Sequence, residues 1–157
     1  MYKKLPEDFS LLCDLRSSKP AQLTSEMIRL LKFSVLQKKY EVYRDINDSP
    51  RGYVVWADVN AETVLKMNRS GSFPRYFYEW DEGDIRLILD VLMHTKQGDL
   101  KLSSLVSELT KNCSRVAFAK RGKLKMFVKK NGRFMAQPVA ADMPVDFSGI
   151  PAEVQLH

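Results

Sequence analysis

Residues 85–93, which read Ile-Arg-Leu-Ile-Leu-Asp-Val-Leu-Met, are the stretch that most constrains the fold of this chain. The run is almost continuously apolar and has the length of a central β-strand, so it predicts the middle of a sheet. A single acidic residue, Asp90, interrupts it. Alternation along a strand places Arg86, Asp90 and His94 on one face, and the same segment therefore supplies the first candidate for a functional site.

Helical and strand patterns surround this central segment. Helical spacing predicts helices over residues 7–16, after Thr24, from Asn60 to about residue 68, and after Asp99. Strand patterns cover residues 40–44, 53–57, 115–119, 124–129 and 134–139, and the Asn131-Gly132 pair is typical of a hairpin turn. The order predicts an α/β (α+β) fold with a single, curved, mostly antiparallel sheet and flanking helices, similar at fold level to acetyltransferase-like proteins.

Length and composition exclude several classes of protein. The 157 residues fit one domain, expected over residues 1–141 and followed by an acidic tail over residues 142–157. No apolar run approaches the roughly 20 residues that span a bilayer, and no signal peptide is visible, so we expect a cytoplasmic protein. Two cysteines and two histidines, without ligand spacing, predict no disulfide framework and no metal site. No phosphate-binding loop or dinucleotide motif is present.

The positive charge is concentrated near the C-terminus. Residues 1–108 hold 16 basic and 16 acidic side chains, whereas residues 109–141 hold nine basic residues and no acid. This basic stretch predicts a docking surface for an acidic partner, with candidate contact residues Arg115, Lys120, Arg121, Lys123 and Lys125. Two alternatives remain open: a strand edge that lysines protect from aggregation, and a nucleic-acid surface on which Phe127 stacks against a base.

Asp90 has a structural and a functional interpretation. A carboxylate within an apolar strand needs a partner, and backbone amides or Arg86 would satisfy it in a purely structural role. In the functional interpretation, Asp90 acts as a base or orients a histidine. His94 is the nearest histidine, but four residues along a strand span roughly 13 Å, so contact would require a bulge or a bend.

Two tryptophan motifs carry a resemblance to a known family. Residues 53–60, Tyr-Val-Val-Trp-Ala-Asp-Val-Asn, resemble the strand-ending Trp-Ala signature of the toxin-activating lysine acyltransferases, the C proteins of RTX toxin operons. Residues 80–84, Trp-Asp-Glu-Gly-Asp, with the strand that leads to Asp90, are similar to that family's Trp-x-x-Gly-Asp motif and the strand after it. A weaker similarity covers Gly122-Lys123-Leu124 and Phe127. Together the resemblance runs from about residue 9 to residue 127.

This resemblance implies a cytoplasmic enzyme with an acetyltransferase-like fold. Family members transfer a fatty acyl group from acyl carrier protein to an internal lysine of a protein toxin and thereby activate the toxin. The acyl-acyl carrier protein is the donor, so no bound cofactor is implied, and the acidic carrier protein would dock on the basic stretch. The resemblance places Asp90 on the family's catalytic strand aspartate and Ser18 on the serine of its N-terminal Ser-Pro-x-His motif.

The chain departs from the family pattern beyond Ser18. Residues 18–22 read Ser-Lys-Pro-Ala-Gln, and no histidine precedes His94. A glutamine side chain cannot act as a base, so either Asp90 or a bent-in His94 would replace the family's histidine. Two other hypotheses remain: a catalytically silent binding partner or chaperone of the toxin or the carrier protein, and a nucleic-acid-binding module. The last is the least favoured, because no Arg/Gly-rich or RNP-type motif is present.

Overall fold

The computed structural model describes residues 4–17, 23–71, 73–94, 107–120, 123–137 and 139. In chain order the elements are α1 (Lys4–Ser17), α2 (Ser25–Leu36), β1 (Tyr40–Arg44), β2 (Pro50–Val59), α3 (Ala61–Ser70), a 3-10 turn (Phe77–Trp80), β3 (Ile85–Met93), β4 (Arg115–Lys120), β5 (Lys123–Lys130) and β6 (Arg133–Gln137). The predicted mixed α+β class is confirmed. Of the helix predicted after Asp99, only residues 107–109 are described, and these are helical.

The strands form one open, six-stranded sheet in the order β1-β2-β3-β4-β5-β6. Neighbouring strands are antiparallel in the β1–β2, β4–β5 and β5–β6 pairs, and parallel in the β3–β4 pair, where Ile85 lies opposite Arg115. The mostly antiparallel sheet with flanking helices is therefore confirmed. The curvature of the sheet and its similarity to acetyltransferase-like proteins stay predictions.

Local sequence signals explain where several elements begin. The Thr24 side chain accepts a hydrogen bond from the amide of Met27 at the start of α2, and Asn60 does the same for Thr63 at the start of α3. Asn131 and Gly132 both have positive φ, as the tight hairpin between β5 and β6 requires. These caps and turns are local, which is why the sequence pattern located them.

The chain divides into two compact units, and β2 and β3 each continue from one into the other. The first unit comprises the described residues within 1–56 and 89–94, and it buries Leu12, Leu31 and Val35 of the two N-terminal helices. The second comprises the described residues within 57–88 and 107–139, and Trp80 and Leu87 are fully buried in it. The expectation of one domain over residues 1–141 stays a prediction, and the acidic tail at 142–157 lies outside the described residues.

Candidate functional site

The carboxylate of Asp90, on β3, is held by two side chains from distant parts of the sequence. Nη1 of Arg16 lies 3.1 Å from each carboxylate oxygen, and the hydroxyl of Tyr53 donates to Oδ2 at 2.5 Å. The side chains of Arg16 and Asp90 keep 15% and 14% of their surface exposed, so the pair lies at a largely covered site that solvent still reaches. A largely covered carboxylate that is paired with an arginine can hold a cation or accept a proton.

The last turn of α1 brings Arg16 to this position. Leu12 and Leu15 are buried on the inner side of α1, and Arg16 follows Leu15 directly. The carbonyl of Leu15 accepts a hydrogen bond from Nε2 of His94 at 3.0 Å, which satisfies one of the acceptors that a helix leaves open at its end. Consecutive residues of α1 thus contact His94 and Asp90.

Tyr53, on β2, is fully buried. Burial raises the pKa of its phenol far above the usual value, and the negative charge of Asp90 raises it further, while Arg16 opposes the change in pKa. The phenol therefore remains protonated and acts as a donor to Asp90. It is a positioning group for the carboxylate, and it is not itself a base near neutral pH.

The structural partner proposed for Asp90 from strand alternation, Arg86, was wrong. The guanidinium of Arg86 donates to both carboxylate oxygens of Asp58, at 3.0 and 3.4 Å, and to the carbonyl of Leu109 at 2.7 Å. Arg86 and Asp90 share a strand, but the nearest opposite charge for each comes from another element. Sequence reasoning missed both partners of Asp90: no motif marks Arg16, and Tyr53 begins the quoted motif at residues 53–60 without any side-chain role being predicted for it.

The predicted basic docking residues differ in their availability. The guanidinium of Arg115 is only 12% exposed and donates to Asp84 at 2.7 Å, so its charge is compensated within the protein. Lys125 on β5 is exposed. Lys120 and Lys123 lie at the facing ends of β4 and β5. Arg121 and the predicted catalytic Ser18 lie outside the described residues.

The strands that carry the basic stretch also carry aromatic side chains. The rings of Phe118 and Phe127 stack with centroids 5.3 Å apart, and Nζ of Lys129 lies 5.6 Å from the centroid of the Phe134 ring. Phe127 therefore has a partner ring within the protein, although it was considered as a platform for a nucleic-acid base. This contact weakens the nucleic-acid hypothesis, because one face of the ring is already occupied.

A cavity of about 210 Å³ lies beside α3 in the second unit. Its wall includes Lys66, Met67, Phe73, Tyr76 and Glu79. Aromatic residues in a dense run such as residues 76–80 usually pack in a core, and Trp80 is fully buried. Tyr76 and Tyr78 differ from it: both are exposed, and their rings stack in parallel with centroids 5.4 Å apart.

The remaining observations concern classes of function. No three His, Cys, Asp or Glu side chains in the described parts of the chain are grouped so that they could hold a metal ion. Among the same residues, no helix combines the length and the apolar character needed to cross a membrane. The sequence matches no known family model, and it matches no curated protein.

Proposed function

We propose that the protein is a lysine acyltransferase that transfers a fatty acyl group from acyl carrier protein to an internal lysine of a protein toxin. The observation that carries the proposal is the contact between Arg16 and Asp90, which are 74 residues apart in the sequence. In the family that the sequence resembles, the catalytic pair is a strand aspartate and the histidine of an N-terminal Ser-Pro-x-His motif. Arg16 lies in the last turn of α1 and two residues before Ser18, on which the resemblance places the serine of that motif.

The reaction requires a proton acceptor beside the attacking amine. The neutral amine of the acceptor lysine attacks the thioester carbonyl carbon, the carbon–sulfur bond breaks, and the carrier sulfur leaves as a thiolate, which finally takes up the proton that the amine has lost. The amine nitrogen loses a proton in the process, and Asp90 is the carboxylate that accepts it in this proposal. The positive charge of Arg16 next to this position would stabilise the developing oxyanion.

The charge distribution supports a protein donor. Exposed cations on the last three strands include Lys125, Lys130 and Arg133, and the chain has no acidic residue between positions 109 and 141. An acidic carrier protein would be attracted to this surface by long-range electrostatics. Arg115, which Asp84 neutralises, contributes less to this attraction than the sequence alone indicates.

The experiment compares two matched substitutions in half-buried Asp–Arg pairs. Wild type, Asp90→Asn and Asp58→Asn are each given labelled acyl-acyl carrier protein and an RTX protoxin fragment, and lysine acylation is measured by mass spectrometry. Asp58 is 17% exposed and pairs with Arg86 much as Asp90 pairs with Arg16, so both variants lose a similar ion pair. We expect Asp90→Asn to lower the rate by about 100-fold or more, and Asp58→Asn to keep most of it.

Other outcomes overturn the proposal. An equal loss in both variants would mean that Asp90 has only a structural role. An inactive wild type that still binds the carrier protein or the toxin would favour the silent binding partner, a hypothesis consistent with the three hydrogen bonds that the Asp90 carboxylate already accepts. Binding of single-stranded oligonucleotides that weakens steeply with salt, without any acylation, would favour the nucleic-acid module.

A further inference from the structure

The cavity beside α3 has a negative group built into its wall. Glu79 is 7% exposed, and its Oε2 accepts hydrogen bonds from the backbone amides of Arg75, at 2.8 Å, and Tyr76, at 3.4 Å. These amides come directly before the 3-10 turn that carries Glu79, so the carboxylate is held in one position before any ligand arrives. Its other oxygen, Oε1, contacts Nζ of Lys66 at 3.4 Å.

The positive groups at the cavity are solvated, in contrast to Glu79. The side chain of Lys66 is 67% exposed, and an ion pair with so exposed a partner contributes little to stability. Arg75 is also exposed. Both cations can therefore move into water when a ligand enters, whereas Glu79 cannot. The preorganised charge of the site is negative, although its rim carries two cations.

An aromatic surface adjoins the carboxylate. Tyr76 lines the cavity, is 54% exposed, and is braced by its stack with Tyr78. The face of a tyrosine ring attracts an ammonium group, and the ring also covers the aliphatic stem of a long side chain. Met67 and Phe73 complete an apolar wall.

We propose that this cavity binds the side chain of a lysine from a partner protein, with Glu79 as the counter-ion and Tyr76 as the wall for the stem. Lys66 already places an ammonium nitrogen at Oε1 of Glu79, and the ammonium group of the incoming lysine replaces it there. Small-molecule sites usually enclose about 300–1,000 Å³, so a cavity of about 210 Å³ suits one slender side chain better than a cofactor. This binding involves no chemical step and does not depend on acyl transfer.

Three small probes test the sign of the charge. n-Butylammonium mimics the end of a lysine side chain, 1-butanol is its neutral counterpart, and butyrate carries the opposite charge. Each is titrated into the full-length protein, and binding is followed by the NMR shifts of the Tyr76 and Tyr78 rings. We expect n-butylammonium to bind at least about ten-fold more tightly than the other two. Tighter binding of butyrate would overturn the proposal.

Lys66→Ala is the most discriminating variant, because a positively charged ligand and a negatively charged ligand predict opposite changes in binding affinity. Removal of the internal competitor strengthens the binding of n-butylammonium by several-fold if Glu79 is the counter-ion. It weakens binding if Lys66 itself is the recognition group, which would refute the proposal. Arg69→Ala, on the same helix but outside the cavity wall, is the matched control. It should leave the affinities for n-butylammonium and for butyrate unchanged. Tyr76→Ala should weaken amine binding, and an unchanged affinity would contradict the assigned role.

Peptides distinguish a protein lysine from a free amine. A lysine-containing peptide should bind more tightly than n-butylammonium, and its Nε-acetyl-lysine counterpart should lose about ten-fold or more in affinity. Equal affinity of the two peptides would overturn the assignment to a lysine side chain. Asp90→Asn should leave all these affinities unchanged, so this proposal and the proposed acyl transfer can fail separately.

Discussion

At the residue scale, position 83 has no room for a side chain in this fold. It belongs to the Trp-x-x-Gly-Asp motif, and a Cβ at this position would overlap the backbone of Val59 and Asn60. The amides of Glu82 and Gly83 both donate to the carbonyl of Asp58, at 2.9 and 3.2 Å, which draws the two segments together. The motif therefore has a packing reason that is independent of any catalytic role.

Gly83→Ala should destabilise the protein by about 3 kcal/mol, because the overlapping atoms are backbone atoms that cannot rotate away. Gly71→Ala is the matched control. Gly71 has a φ of 67° but no atom within 4 Å of an added Cβ, so only backbone strain of about 1 kcal/mol is expected. Urea unfolding monitored by circular dichroism measures both. Equal losses would contradict the close approach at Gly83.

At the scale of the element, α3 depends on its first residues. Asn60 follows β2 directly, and its Oδ1 accepts a hydrogen bond from the amide of Thr63 at 2.9 Å, so its side chain caps the start of α3 immediately after the strand. α3 in turn supplies Lys66 and Met67 to the cavity wall. Loosening the start of the helix should therefore affect both stability and the cavity.

Asn60→Ala should lower the free energy of unfolding by about 1 kcal/mol, since it removes the cap of α3. Asn68→Ala makes the same chemical change at an exposed position inside the helix, where alanine has the higher helix propensity, so a neutral or slightly favourable effect is expected. Chemical denaturation of the two variants side by side gives the comparison. If Asn68→Ala proved the more damaging, the capping role of Asn60 would be refuted.

At the scale of the whole molecule, two tyrosines make the stability of the folded protein depend on pH in the alkaline range. Partial burial, the hydrogen bond to Asp8 and the negative charge of Asp8 together raise the pKa of Tyr40 to about 12, with burial the largest cause. Tyr53 has its pKa raised more strongly, by burial and then by Asp90. The hydroxyl of Tyr40 donates a hydrogen bond to Asp8 on α1, and the hydroxyl of Tyr53 donates one to Asp90 on β3.

The sign of the pH effect follows from proton binding. Above the ordinary tyrosine pKa of about 10, the unfolded chain releases these protons while the folded protein retains them. The stabilisation is therefore complete below pH 10 and is lost as the pH rises toward 12. Thermal unfolding followed between pH 8 and 12 should show this loss, and Tyr40→Phe should reduce its steepness. Tyr78→Phe, at an exposed ring, is the control, and an equal effect there would exclude the explanation.

The sequence by itself determined several elements of this protein. β3 was located over its full length, α2 and α3 begin at the capping residues that the sequence indicated, and Asn131-Gly132 forms the predicted turn. These features depend on hydrophobic periodicity, capping and turn chemistry, all of which act between residues close in the chain. The position of Asp90 within a strand followed from the same signals.

Only the tertiary structure decided which groups meet. Arg16 reaches Asp90 because the buried side of α1 sets the direction of its last turn, and strand alternation had wrongly offered Arg86. Tyr76 and Tyr78 are exposed although the run that contains them is aromatic. Contacts between residues far apart in the chain depend on how helices and strands pack against each other, and periodicity within one element carries no information about that packing.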